Sequence, residues 1–241
     1  MCTVSWKLNP EGYDLFFNRD EQITRKEALP PEIMNRNKVR FIAPRDAEAA
    51  GSWLAVNDEG ICFFLLNHYP SPLRPMAQSR GNIILQLAGA EKLSEAQKIL
   101  DELPLHDFAP FRIGVFVPEI GPFSWLWNGM TLLSEGRQTA YLTSSSYQSE
   151  RVVAQRQSLF QVINPQGIGD FLQMHSGHFP EKGAFSICMH RTDAETVSFS
   201  HISVRNDCVT FRYCPGSPCA STKSHVVTIG KKSQHTNCRV A

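Results

Sequence analysis

Apolar residues along the chain follow two rhythms. Where they alternate or come in short bursts between turn formers they mark strands, and where they recur every three or four positions they mark helices. Residues 2–8 (CTVSWKL) and 13–18 (YDLFFN) are apolar and β-prone, with the turn formers Asn9-Pro10-Glu11-Gly12 between them. The chain is therefore expected to open on a β-hairpin. Residues 22–50 are polar and carry prolines, with one short strand candidate at 39–42. A second hairpin is expected from residues 53–56 and 61–66 around the turn Asn57-Asp58-Glu59-Gly60.

A helical rhythm predicts one helix from Arg80 to about residue 88 and another from about 94 to 103. Ser94 and Gln97 match a capping box, and Ala96, Ile99, Leu100 and Leu103 make an apolar face. Strands are expected at 111–117, 123–128 and 138–143. The stretch 147–174 reads as two helices broken at Asn164-Pro165-Gln166-Gly167, and strands return at 184–190, 195–204 and 207–213. Strands arrive in hairpins rather than singly between helices, which points to an α+β fold with mainly antiparallel sheets. Helices in two blocks can cover two stacked sheets, giving a four-layer α-β-β-α sandwich. Residues 1–241 are read as a single domain with no repeat of fixed period, and 214–241 as a ragged terminal strand or a loose C-terminal extension.

Composition narrows the classes. The 241 residues are 42% hydrophobic and carry a net charge of +1, which argues against a nucleic-acid or anionic-membrane binder working by bulk electrostatics. No apolar stretch is long enough to span a bilayer, so no transmembrane segment is expected. The start Met-Cys-Thr-Val-Ser-Trp-Lys does not read as a signal peptide, so the expected compartment is cytoplasmic. The seven cysteines (2, 62, 188, 208, 214, 219 and 238) are an odd number, which argues against a disulfide framework.

Candidate chemistry centres on Cys2, which directly follows the initiator Met. Removal of Met1 would leave a cysteine carrying both a thiol and an α-amine that titrates near ~8 and can serve as base for its own side chain. The run Asn18-Arg19-Asp20-Glu21 ends the second strand of the same hairpin, so pairing brings it beside Cys2. Arg19 could hold Cys2 as thiolate or bind a substrate carboxylate, and Asp20 could orient the α-amine or Arg19. The plain alternatives are a small hydrophobe on a strand and a solvated run of charge.

These residues carry a resemblance. Met-Cys-Thr-Val-Ser-Trp, Gly12-Tyr13, and Leu15-Phe16-Phe17-Asn18-Arg19-Asp20-Glu21-Gln22 with Arg25 resemble the NRDE family, also called the transport and Golgi organisation family. The match is dense over the first 30 or so residues. It continues more thinly through Ala43-Pro44-Arg45-Asp46, Gly51-Ser52-Trp53-Leu54, Leu66-Asn67-His68-Tyr69, Ser79-Arg80-Gly81 and Cys188-Met189-His190-Arg191 with Asp193, Thr196 and Ser198. The family is similar to the N-terminal-nucleophile hydrolases. That resemblance implies Cys2 as nucleophile, Arg19 and Asp20 as its supporting pair, and Asn67 as an oxyanion or substrate donor. Asn18, Glu21, Trp53 and Arg80 join Asn67 as expected ligand contacts. The implied activity is an amidase or acyltransferase on a C–N acyl bond, without a required cofactor. The alternatives are a binding or transfer protein for haem or acyl-CoA-like ligands, and a scaffold with a vestigial site. Where the hydrolases use a later Asn for the oxyanion, this chain has Ser144-Ser145-Ser146.

Two further groups were weighed for metal. His175-x-x-His178 with Cys188 and His190 is interrupted by Ser176-Gly177, and Cys208, Cys214, Cys219 and His225 lack a Cys-x-x-Cys pair, so no metal is expected. The alternating Phe123, Trp125 and Trp127 read as core or cavity wall.

Overall fold

The computed structural model describes residues 2–69, 78–118, 120–138 and 141–232. Its strands are β1 (Cys2–Asn9), β2 (Gly12–Gln22), β3 (Leu29–Arg36), β4 (Val39–Arg45), β5 (Leu54–Asn57), β6 (Cys62–Asn67), β7 (Phe111–Val117), β8 (Gly121–Trp127), β9 (Leu132–Arg137), β10 (Tyr141–Ser144), β11 (Ala194–Val204), β12 (Cys208–Pro215) and β13 (His225–Gly230). The α-helices are α1 (Gly81–Leu87), α2 (Leu93–Glu102), α3 (Ser149–Ile163) and α4 (Ile168–Ser176).

Two antiparallel sheets form, ordered β10-β1-β2-β11-β12-β13 and β3-β4-β5-β6-β7-β8-β9. Alternation along the strands divides the side chains into layers. Val4, Trp6, Leu15, Phe17 and Ile202 of the first sheet meet Ile42, Leu54, Val56, Phe64 and Phe116 of the second. On the outer face of the first sheet, Phe16 and Phe199 pack with Leu159, Phe171 and Met174 of α3 and α4. On the outer face of the second, Phe63, Phe111 and Ile113 pack with Ile83, Leu87, Ala96 and Leu100 of α1 and α2. The result is the expected α-β-β-α sandwich. Among the described residues no helix is long and apolar enough to cross a membrane.

Several elements differ from the sequence reading, each for a physical reason. Strand β3 carries Pro30 and Pro31; it lies at a sheet edge, where a missing N–H is tolerated, and its pairing is irregular between Leu29 and Glu32. The edge strand β9 was not expected either, and the strand placed at 138–143 is β10, at Tyr141–Ser144. Residues 184–190 form no strand, because β11 already occupies the place beside β2. Arg156 satisfies the carbonyls of Ala184 and Phe185 instead. The Ser94 capping box does not form. Helix α2 starts at Leu93 without a side-chain cap, and Gln97 accepts from Trp125 Nε1 at 2.6 Å while donating to Asp101. Within 214–241 the terminal-strand alternative holds for residues 225–230, where β13 pairs with β12 from Cys208 to Tyr213. Residues 233–241, and Cys238 with them, lie outside the described residues.

The inter-sheet core is expected to dominate stability. Phe64→Ala, at a position with no exposed surface, should lower unfolding free energy by about 3–5 kcal/mol in a urea titration. Ile33→Ala on the exposed edge should change it by no more than about 0.5 kcal/mol.

Candidate active site

The hairpin register brings the expected residues together. Cys2 begins β1 directly across from Arg19 on β2 and from Ser144 on β10. Because alternate residues face opposite sides, Arg19 and Glu21 share the inner face with Cys2, whereas Asn18 and Asp20 point to the helix layer. Cys2, Arg19, Asp46, Trp53, Asn67 and Arg80 line a cavity of about 350 Å3.

Arg19 is held from two sides. Its Nη2 lies 2.6 Å from Asp46 Oδ2 and 3.5 Å from Glu21 Oε2, and its guanidinium stacks over the Trp53 ring, 4.2 Å from the centroid. Arg25 grips the same Asp46 with two hydrogen bonds of 2.8 and 3.0 Å. Burial alone would raise the Asp46 carboxyl. The Arg25 hydrogen bonds, the Ala49 N–H and the charges of Arg19 and Arg25 outweigh it and hold Asp46 down at about 2. Arg19 is thus matched by carboxylates, and its charge only partly offsets the rise of the Cys2 thiol. Burial pushes the Cys2 thiol up to about 11; the Asp20 charge adds to that rise, while a hydrogen bond from the Asp20 backbone and the charge of Arg19 oppose it.

Asp20 does not pair with Arg19. Its Oδ1 accepts from Thr196 Oγ1 at 2.7 Å, and its Oδ2 lies 3.5 Å from Arg156 Nη1. Arg156 is fully buried and also donates to Thr3 and Thr143. Asn18 likewise faces away from the cavity. Its amide donates to the carbonyls of His175 and Ile187, and its Oδ1 accepts from His175 Nδ1 at 2.9 Å. With Nδ1 donating to Asn18, His175 Nε2 accepts from Ser5 Oγ at 2.8 Å. Asn18 therefore ties β2 to α4, which replaces the ligand-contacting role expected of it.

Arg80 reaches the cavity from the residue before α1. Gly51 and Gly81 allow this: a Cβ on Gly51 would sit 2.5 Å from the Gly81 carbonyl carbon, so two backbones touch where any side chain would part them. Arg80 donates to the Pro110 carbonyl at 2.9 Å and, among the described residues, has no carboxylate at ion-pair distance. Asn67, which also lines the cavity, donates to the Tyr69 hydroxyl at 3.1 Å.

Asp46, Arg25 and Thr196 fall in stretches already matched by the resemblance, but without roles. Arg156 was missed. Its signal was a lone arginine on the helical stripe of Val152 and Leu159. The two groups weighed for metal are recombined: His178, Cys188, His190 and Cys219 each offer a ligand atom within 4.8 Å of the others. His175 is instead spent on Asn18 and Ser5.

The sandwich has the fold of N-terminal-nucleophile hydrolase-like proteins, and Cys2 lines a cavity in it. A Caenorhabditis elegans N-acylethanolamine-hydrolyzing acid amidase ortholog is similar over 84% of this chain and 92% of its own, with a TM-score of 0.58 at 9% identity. The conjugated bile acid hydrolase of Clostridium perfringens, as its C2A mutant, is similar over 98% of this chain and 94% of its own, with a TM-score of 0.53 at 11% identity. Residues 1–198 match the Transport and Golgi organisation 2 family, and the chain belongs to it. No curated protein matches the chain.

Two predictions follow from the buried polar layer. Arg156→Ala removes the buried cation beside Asp20 together with its hydrogen bonds to Thr3 and Thr143, and should cost about 3–5 kcal/mol in denaturant unfolding. Burial, with the charges of His201 and Arg156, pulls His175 down to about 3, well below its value in the unfolded chain. The unfolded chain then binds the extra proton, so this contribution is complete above pH ~6.5 and is lost as pH falls toward 3. Between pH ~5.5 and 4 the stability of wild type relative to His175→Gln should fall by about 1.4 kcal/mol per pH unit. A pH-independent difference would contradict it.

Proposed function

We propose that the protein is a cysteine amidohydrolase or acyltransferase acting on a C–N acyl bond once Met1 is removed. One observation carries this reading: Cys2 and Arg19 are cross-strand neighbours in the wall of a polar cavity. The comparison proteins support it in their own terms. One is named for amide hydrolysis, and the bile acid hydrolase was solved with a second-position cysteine replaced by alanine.

In the proposed reaction the freed α-amine takes the thiol proton and the thiolate attacks the acyl carbonyl. The tetrahedral intermediate collapses, expelling the amine, which leaves with that proton. Water, or an acceptor nucleophile, then cleaves the thioester and regenerates the thiol. Arg19, fixed by Asp46, sets the positive potential beside the sulfur. Asn67 and the Ser144 hydroxyl, which has no partner among the described residues, are the proposed oxyanion donors. Arg80 meets an anionic portion of the substrate. Asp20 acts through its backbone contact to the thiol, with Arg156 and Thr196 holding it.

A second reading is binding and transfer of haem or an acyl-CoA-like ligand without turnover. The observation favouring it is the thiol pushed up to about 11, a state poor in thiolate at neutral pH.

Intact-mass measurement should show Met1 removed, and a panel of N-acyl amides should give a Cys2 acyl adduct. Cys2→Ala should abolish turnover, and Arg19→Met should lower kcat/KM by about 10²–10³-fold. The wild-type rate should rise with pH through the α-amine value near ~8. A retained Met1 together with a saturable haem or acyl-CoA titration would favour the binding reading.

A further inference from the structure

We propose that His178, Cys188, His190 and Cys219 form a four-coordinate metal site of the zinc class that staples the irregular segment 177–193 to the turn after β12. The donor set is two thiols and two imidazoles, the composition that suits tetrahedral zinc, and one ligand atom from each lies within 4.8 Å of the others.

The distances fit such a centre. His190 Nε2 lies 3.5 Å from Cys188 Sγ and 3.4 Å from Cys219 Sγ. With metal–sulfur and metal–nitrogen bonds of about 2.3 and 2.05 Å, the nitrogen-to-sulfur edge of a tetrahedron is about 3.5 Å. Hydrogen bonding accounts for this poorly, because a neutral imidazole Nε2 has one proton or one lone pair and cannot serve two sulfurs.

Three independent features point the same way. His178 Nε2 is buried with no hydrogen-bond partner among the described residues, a cost that a metal bond would remove. The far nitrogen of His190, Nδ1, lies 3.6 Å from Glu195 Oε2, the carboxylate–histidine arrangement that orients metal-bound imidazoles. Cys219 is exposed and lines, with His190 and Glu195, a cavity of about 730 Å3 that gives an ion a route in.

The site would do structural work. Its ligands come from two stretches outside the named strands: the 177–193 segment that follows α4 and the 216–224 turn that follows β12. Met189, between two ligands, exchanges two 2.8 Å hydrogen bonds with Thr196, whose hydroxyl holds Asp20. A metal would therefore brace the support of Asp20 from outside the nucleophile cavity. Four protein ligands leave no open position, so the ion binds no substrate. Binding one Zn2+ to two neutral thiols and two neutral imidazoles releases two protons, and nothing is oxidised or reduced.

The test uses the full chain, stripped with chelator under reducing conditions and titrated with Co2+ as a spectroscopic stand-in for zinc. One equivalent should give the intense visible bands of tetrahedral, thiolate-bound cobalt, which Zn2+ abolishes. Glu195→Gln should weaken Co2+ binding by about 10–100-fold, and Cys188→Ser and Cys219→Ser by more than about 100-fold. Cys208→Ser and Cys2→Ala should bind as wild type, so the site stands or falls separately from any activity of Cys2. Zn2+ should also raise the melting temperature of wild type but not of Glu195→Gln at matched sub-saturating metal. Absence of a one-equivalent tetrahedral spectrum in wild type, or a Cys188–Cys219 disulfide in protein as purified, overturns the proposal.

Discussion

Everything at the candidate site depends on the register of the first hairpin. Asn9 pairs with Gly12, so two residues turn the chain and every later pair is set, down to Cys2 opposite Arg19. Gly12 holds that register in place. Its φ is +147°, and a Cβ there would sit 2.1 Å from the Val204 carbonyl oxygen on β11. A slip of one residue would move Arg19 to the helix layer and bring Asn18 opposite Cys2.

The same alternation splits one short charged run between two environments. Arg19 and Glu21 face the cavity with Asp46 and Arg25, whereas Asp20 faces the helices and meets Arg156. Both arginine–carboxylate groupings are buried at their centres, so removing one partner weakens the compensation of a charge held in low dielectric. The polar network reaches further: Thr3, Thr143 and Thr196 satisfy Arg156 and Asp20, and Ser5, Asn18 and His175 form a second chain beside them. A sheet face that carries this many satisfied polar groups is specific in its partners, since any other packing would leave some of them unpaired.

The parts of the fold set by local pattern were legible in the sequence. The opening hairpin, the helices around 80–103, the helix break at Asn164-Pro165 and strands β7, β11 and β12 all follow from alternation, helical period and turn formers. What was hidden depends on neighbours. Two prolines disguise β3, which survives because it is an edge. Residues 184–190 look β-prone, yet the carbonyls of Ala184 and Phe185 go to a buried arginine. At the site, Cys2 and Arg19 were legible because a hairpin is a local structure. The partners of Asp46 and Arg156 and the link from Cys219 to His190 were not, because those contacts join residues 27 to 136 positions apart. Alternation turns the side chains of Asn18 and Asp20 toward the helix layer, while Asp20 still borders the cavity beside Cys2 through its backbone.

The electrostatics of Cys2 bear on when the proposed chemistry could begin. Arg19 carries the nearest fixed positive charge across the hairpin, but Asp46 and Glu21 largely cancel it, and burial keeps the thiol protonated. On the proposed reading a proton acceptor must therefore arrive with chain processing, and the α-amine freed from Met1 is positioned by covalent geometry to be that acceptor. Burial of the thiol and activation by the amine are then two halves of one arrangement. On that reading, the burial that keeps the thiol protonated would also make a nearby base and a fixed guanidinium effective, since charge interactions strengthen as water is excluded.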